Sequence, residues 1–466
     1  MGTLFGTDGI RGIANDTLDN VLAYRVGQAT AYQLWQQKGS QPVVAIGKDT
    51  RISSDMLEAA LSAGLCAGGA TVVQLGVVPT PSVAYLTVKH HADTGIVISA
   101  SHNPFEYNGI KMFSGQGFKL NDELEEAIER MVLARGPIPV RMGADIGQIF
   151  NGHHTLEEYT AHLVSTVTEE IHDLRIVIDC ANGAASKTVR RIFNRFDCNV
   201  TYIHDRPNGT NINNGCGSTH LEDLAKRVVE GAYDVGIAFD GDADRCLVVD
   251  ERGRTVDGDQ IMAICAARFA HQRNVFERRA ARLKAQGKLQ NNGFVATIMS
   301  NLGLHKFAKE HDMNLLCSGV GDRHVLELMR EKGLILGGEQ SGHIIFLNHM
   351  TTGDGQLAAL QFLQILSTSG MTVSQLAATV PQYPQHLVNV KAPFEQADKQ
   401  ALLESDGVKA AIAEAEAMLG EEGRVLVRPS GTEALIRVMA EAGTQELAKK
   451  AVALVAASVE NAQNGN

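Results

Sequence analysis

The sequence predicts an α/β protein of four domains: three related α/β domains with mixed sheets and a C-terminal α+β domain, set around a central cleft. Three observations predict it. The chain has 466 residues, more than one hydrophobic core usually organises, so two to four domains are expected. A pattern of short apolar runs alternating with helix-like segments occurs three times in succession. Beyond about residue 375 that pattern gives way to paired strand-like runs and an alanine-rich segment.

The repeat is one of pattern rather than identity. Each copy opens with a β-branched run, at residues 43–46, 176–178 and 294–298. A polar loop and a helix-like segment follow, at 54–66, 184–196 and 302–311. A second apolar run comes next, at 71–75, 200–203 and 315–317, and a third at 95–98, 235–239 and 334–336. Strand–helix–strand alternation implies largely parallel pairing. Such sheets gather ligands at the carboxyl ends of their strands. In the tail, runs 424–428 and 435–439 read as strands joined by a turn, and 445–460 as a helix. The expected boundaries are 1–150, 151–252, 253–372 and 373–466. The polar, basic stretch 271–290 reads as a helical extension with a surface loop, and 461–466 as a frayed end.

Composition narrows the function. With 42 Lys and Arg against 53 Asp and Glu, the net charge is −11. That argues against a nucleic-acid or anionic-membrane partner, but not against a small phosphorylated ligand held by local arginines. The 7 cysteines are scattered with no C-x-x-C pair, as expected of reduced intracellular thiols. No apolar run approaches the roughly 20 residues of a membrane helix, and the first residues lack a signal core. A cytoplasmic protein is expected.

The third run of each copy ends in a polar loop rich in reactive groups. The first holds Ser101, His102, Asn103 and Pro104. A serine there is most often a turn or cap residue. A serine-hydrolase reading fails because no G-x-S-x-G elbow exists and adjacent side chains do not normally face each other. A phosphoryl-carrying serine fits better, given the second loop. There Asp240, Asp242 and Asp244 alternate with small residues and precede Arg245. Oxygen ligands at i, i+2 and i+4 suit a hard cation such as Mg²⁺, and three such carboxylates after a buried strand repel without one. Glu251 falls where a calcium EF-hand places its last ligand, but Arg245 occupies that loop's glycine position. The third loop, with Glu339, Ser341 and His343 on a glycine-rich backbone, offers acceptors and donors for sugar hydroxyls; an ordinary turn is the plainer reading.

Other candidates are more local. Arg428, Ser430, Gly431, Thr432 and Arg437 look like a phosphate cradle on a hairpin, which a plain turn would equally explain. Arg11 and Arg51 add cations near the start. Lys111 is a candidate general acid or base, though a single lysine is usually just solvated. Lys187 and Thr188 mimic the end of a P-loop, but the glycine before the lysine is missing.

Taken in order along the chain, the serine loop, the aspartate loop, the Glu-Gln-Ser-Gly-His loop and the Arg-Pro-Ser-Gly-Thr-Glu turn resemble the α-D-phosphohexomutase superfamily. The stretches 4–12, 299–304, 320–323 and 338–343 are most similar to its amino-sugar subgroup. The resemblance implies an isomerase that interconverts glucosamine 6-phosphate and glucosamine 1-phosphate, feeding UDP-N-acetylglucosamine and the cell wall. It implies a phosphoserine at Ser101, and one Mg²⁺ on Ser101, Asp240, Asp242 and Asp244. Arg11, His102, Lys111 and Arg245 would then serve the transferring phosphoryl group. Glu339, Ser341 and Arg323 would bind the sugar, and Arg428, Ser430, Gly431, Thr432 and Arg437 the other phosphate. A sugar 1,6-bisphosphate would act as activator, and dimers would form through the first domain. Glucose or mannose phosphates are the competing substrates, and a metal-dependent phosphatase or a non-catalytic sugar-phosphate binder the competing functions. Two departures stand out: Ala243 replaces a commoner glycine, harmless if its φ is negative, and the stretch 271–285 is longer than usual.

Overall fold

The computed structural model describes residues 4–6, 9–134, 136–276, 292–430 and 434–463. Gly431 and Thr432 of the expected cradle, Thr7 and Asp8 of the N-terminal motif, and most of the basic stretch lie outside them. Four sheets carry the chain, in three mixed α/β domains and one C-terminal α+β domain. Among the described residues no helix is long and apolar enough to cross a membrane.

The first sheet has the order Ile10–Ile13, Tyr107–Ser114, Thr94–Ile98, Val43–Lys48, Thr71–Val77, Ile149–Asn151. Its last four strands are parallel, Tyr107–Ser114 runs antiparallel beside them, and Ile10–Ile13 pairs antiparallel with Tyr107–Ser114. The second sheet repeats the arrangement: Asp197–Ile203, His172–Asp179 and Val235–Phe239 are parallel, and Cys246–Asp250 returns antiparallel beside the third. In the third sheet Asn314–Ser318, Gly293–Thr297 and Leu336–Gly338 are parallel, and Ile344–Phe346 returns. Parallel pairing therefore holds for the runs read from the sequence, and the return strands, which no run marked, make the sheets mixed as expected.

Burial explains the strands. Thr94–Ile98 and Val235–Phe239 are buried at every position, as expected for strands covered on both faces. Helices Asn20–Lys38 and Ser54–Ala67 pack one face of the first sheet, and their apolar residues join one continuous core with Ile46, Val72 and Ile96.

Two local expectations need correction. The third run of the third domain is strand at Leu336–Gly338, two residues later than read, because Gly333 caps the preceding helix Asp322–Lys332 and Leu334 N is still bonded back to Met329 O at 2.8 Å. The segment 184–196 is not one helix: a 3-10 turn, Ala184–Lys187, gives way at Thr188 to a short helix, Val189–Phe193. The helical extension expected from 271 is the end of the helix Gly258–Phe276, and the rest of that stretch lies outside the described residues.

By internal contacts the chain forms two compact units, residues 1–299 with 312–379, and residues 300–311 with 380–466. The helix Leu302–Glu310, expected with the third domain, thus belongs with the C-terminal sheet, Gln385–Lys391, Leu435–Glu441 and Arg424–Pro429. Glu441 shows why. Fully buried, it accepts hydrogen bonds from Leu302 N at 2.7 Å, Asn301 Nδ2 at 3.4 Å and Arg424 Nε at 2.7 Å. Glu441→Ala leaves Arg424 without its carboxylate and should cost about 3–5 kcal/mol. Chemical denaturation measures it; a loss under about 1 kcal/mol would contradict a central role for Glu441.

Candidate active site

The same structural position generates all three polar loops. In each of the first three domains the third parallel strand ends, the chain turns, and the return strand leaves. The turns carry Ser101, then Asp240, Asp242 and Asp244, then Glu339 and His343. Within the first unit they come together. Thr80 N donates to Asp242 O at 2.9 Å, Cys246 N donates to Gly342 O at 3.0 Å, and Gly355 N donates to Ala243 O at 3.0 Å. A cavity of about 550 Å³ opens beside them, lined among others by Arg11, Ser101, Lys111, Asp244, Arg245, Arg323, Glu339 and His343.

Ser101 is buried and sits at φ +51°, a left-handed conformation uncommon outside glycine. Its Oγ donates to Asp240 Oδ2 at 2.6 Å. His102 Nδ1 lies 3.4 Å from the same Oγ, so the two neighbours do approach each other. Burial, with Arg245 and Arg11 nearby, lowers the His102 pKa to about 4. The serine proton is directed to the aspartate, not to the imidazole.

The three aspartates are buried, and their ligand oxygens lie within 4.8 Å of one another. Burial, reinforced by Asp244 and Asp242, pushes the Asp240 carboxyl well above the usual range. Burial opposes ionisation of Asp244 too, but Lys111, His343 and Arg245 outweigh it and hold that carboxyl well below. Lys111 Nζ stands 3.6 Å from both Asp242 Oδ2 and Asp244 Oδ2. Thr80 Oγ1 donates to Asp242 Oδ2 at 2.6 Å. Asp242 Oδ1 and Asp244 Oδ1 are buried without a hydrogen bond among the described residues. An oxygen-only donor set with uncommitted carboxylate atoms fits a hard divalent cation.

The sugar loop is partly as expected. Glu339 lines the cavity, accepts from Gly321 N at 3.1 Å, and is pushed upward by burial. Ser341 is exposed and does not line it. Arg323 lines it but is paired with Asp122 at 2.5 Å and Glu327 at 2.9 Å. His343 accepts from Gly353 N on Nε2 at 3.2 Å, leaving Nδ1 toward Asp244 at 3.6 Å.

The cradle residues form a feature of the second unit. Arg428 and Arg437 are direct cross-strand partners. Burial, and the facing Arg437, lower the Arg428 pKa, and Arg428 Nε has no hydrogen bond among the described residues. Two like charges so placed favour an anion between them. Ser430 is buried, with its carbonyl accepting from Lys399 Nζ at 2.7 Å.

The sequence reading gave no role to the support beneath the serine. Buried Asp49 accepts from Ser99 Oγ at 2.7 Å, Ser54 Oγ at 3.1 Å and Arg51 Nε at 2.8 Å. Ser99 Oγ in turn accepts from Ser101 N at 3.0 Å. The Asp-Thr-Arg triplet at 49–51 was visible, but only folding brings it under residue 101.

Ala243 does not meet the condition under which it would be harmless. Its φ is +59°, so the alanine bears the left-handed strain a glycine would avoid. Ala243→Gly should therefore raise stability by about 0.5–1 kcal/mol. A lower thermal midpoint for the variant would contradict it.

Comparison with known proteins agrees with this architecture. Models of the phosphoglucomutase/phosphomannomutase family match four times: alpha/beta/alpha domain I at residues 2–136, domain II at 157–253, domain III at 257–383, and the C-terminal domain at 387–458. A phosphoglucosamine mutase of Acetivibrio thermocellus is 49% identical over 457 residues, covering 98% of each chain. One of Carboxydothermus hydrogenoformans is 49% identical over 461 residues, covering 99% of this chain and 100% of the relative. A solved phosphoglucomutase/phosphomannomutase family protein from Burkholderia thailandensis shares the fold at TM-score 0.80 and 24% identity, covering 100% of this chain and 99% of its own. The N-acetylphosphoglucosamine mutase of Aspergillus fumigatus, solved with GlcNAc-6P and magnesium, shares it at TM-score 0.71 and 20% identity, with 99% and 96% covered.

Proposed function

The chain belongs to the phosphoglucomutase/phosphomannomutase family, and on that premise we propose that it is an isomerase interconverting glucosamine 6-phosphate and glucosamine 1-phosphate. The observation that carries the chemistry is Ser101 Oγ donating to Asp240 on a buried aspartate triad at the cleft. Relatives named phosphoglucosamine mutase, matched over nearly their whole length, support the amino sugar.

Ser101 carries a phosphoryl group. The free hydroxyl of the bound sugar phosphate attacks phosphorus, the P–O bond to Ser101 Oγ breaks, and a sugar 1,6-bisphosphate forms. Lys111, lining the cleft, is placed to exchange a proton with the sugar hydroxyl. After the bisphosphate turns, Oγ attacks its other phosphoryl group, giving up its proton toward Asp240 Oδ2, which already accepts that hydrogen bond; the P–O bond to the sugar oxygen breaks, that oxygen takes a proton back from Lys111, and the isomeric monophosphate leaves. The same bisphosphate, supplied from outside, primes an unphosphorylated serine. Asp240, Asp242, Asp244 and Ser101 would hold Mg²⁺, which supplies positive charge against the transferring oxygens. Arg11 and Arg245 add charge beside the serine, and His102, neutral there, offers only a hydrogen-bonding group. Glu339 takes sugar hydroxyls, with Arg323 joining once released from Asp122. Arg428, Ser430 and Arg437, with Gly431 and Thr432, take a phosphate. The reaction is assigned to the cytoplasm. A homodimer is assigned to the first domain, whose terminal strand leaves Ile149 and Phe150 half exposed.

Ser101→Ala should lower turnover by at least about 10³-fold while leaving the fold intact. The assay is Mg²⁺-dependent conversion of glucosamine 6-phosphate, run beside glucose and mannose 6-phosphates with a trace of sugar bisphosphate. Normal turnover by the variant would remove the phosphoserine. A wild-type preference for glucose or mannose phosphate would keep the chemistry and change the substrate.

A further inference from the structure

We infer that Asn213, in a loop of the second domain, is a positioning residue for the nucleophile, holding the peptide of Ser101 in the left-handed conformation from which Oγ meets Asp240. The inference rests on the reading of Ser101 as the phosphoryl carrier.

A serine at φ +51° persists only where its surroundings over-determine it. Two side chains do so here. Ser101 O accepts from Arg51 Nη2 at 2.9 Å and from Asn213 Nδ2 at 2.8 Å. The same two groups also hold Asn103 O, at 2.8 and 3.0 Å. One clamp belongs to the first domain and the other to the second, so the serine turn is gripped from both sides.

The second domain is built to present that amide. Asn213 itself has φ +56°, and it donates its N–H to Ala181 O at 2.9 Å, in a turn where Ala181 and Asn182 have φ +54° and +47°. Asp179, fully buried at the end of its strand, ties the two segments together. Its Oδ1 accepts from Ala181 N at 2.8 Å, and its Oδ2 from Gly217 N at 2.9 Å. Asn213 is buried, and its own Oδ1 makes no hydrogen bond among the described residues. An asparagine kept to close its own loop would use both ends of the amide; this one spends both donors on the serine turn. The metal loop presses on the same point: a Cβ at Gly241 would lie 2.6 Å from Ser101 O and 2.8 Å from Asn213 Nδ2. Asn213 does not line the cleft, so its effect falls on the orientation of Oγ and not on sugar binding.

Asn213→Gly removes the amide and keeps the left-handed backbone without strain. It should lower kcat about 10–100-fold, with KM within about 2-fold of wild type, the scale of a misplaced reacting group. The thermal midpoint should stay within about 4 °C. Asn213→Asp, of the same size and tolerant of the same φ, places oxygens against both carbonyls and should lose as much. It decides the matter by the same criteria if the glycine variant does not fold. Asn214→Ala, at the exposed neighbouring position, should be unchanged. Wild-type kcat in the folded Asn213 variants, or a loss confined to KM and stability, would overturn the inference. An inactive Ser101→Ala beside a fully active Asn213→Gly would overturn this inference alone; an active Ser101→Ala would overturn the reading beneath it.

Discussion

Three carboxylates forced together out of water are the constraint around which the first unit is arranged. At a separation of 4.8 Å, two unit charges repel by about 3–4 kcal/mol even at an effective dielectric of 20. The protein relieves this only in part. Lys111 approaches Asp242 and Asp244, Thr80 donates to Asp242, His343 faces Asp244, and Ser101 donates to Asp240. The remainder shows as one carboxyl that resists ionisation and two buried oxygens with no hydrogen bond among the described residues. A structural turn gains nothing from such a cluster; a site that must meet a cation and a phosphoryl group does.

The fold solves the matching problem of assembly by repetition. A parallel strand that ends and returns antiparallel leaves a short turn at the carboxyl edge of its sheet. Three domains with the same strand order therefore present three such turns, and each bears different chemistry: a nucleophile, the acids, and a sugar-reading glutamate. Main-chain bonds between turns, as from Cys246 N to Gly342 O, fix their spacing without using the reactive side chains.

Much of this was legible in the sequence, for identifiable reasons. Ser101, Asp240 and Glu339 each follow an apolar run, so strand end and reactive group could be read together. The return strands were harder to read, because runs such as 344–346 are too short to show a period. The role of Asn213 was not legible at all: its bonds span more than 100 residues of chain, and no local pattern encodes a contact of that range. The sign of φ at Ala243 depends on how its turn closes against Gly355, which is tertiary information. The same is true of the helix Leu302–Glu310, whose sequence follows the repeat but whose capping carboxylate, Glu441, comes from the tail.

The central claim is that the aspartate triad is a cation site coupled to the serine. Its most direct test is the thermal midpoint of the protein titrated with Mg²⁺, for wild type and for Asp242→Ala, each with and without a chelator. A cation bound by the folded state alone raises stability with concentration. The account predicts a saturable rise for wild type, reversed by chelation, and none for Asp242→Ala. An absent rise in wild type, or an equal rise in the variant, would contradict it.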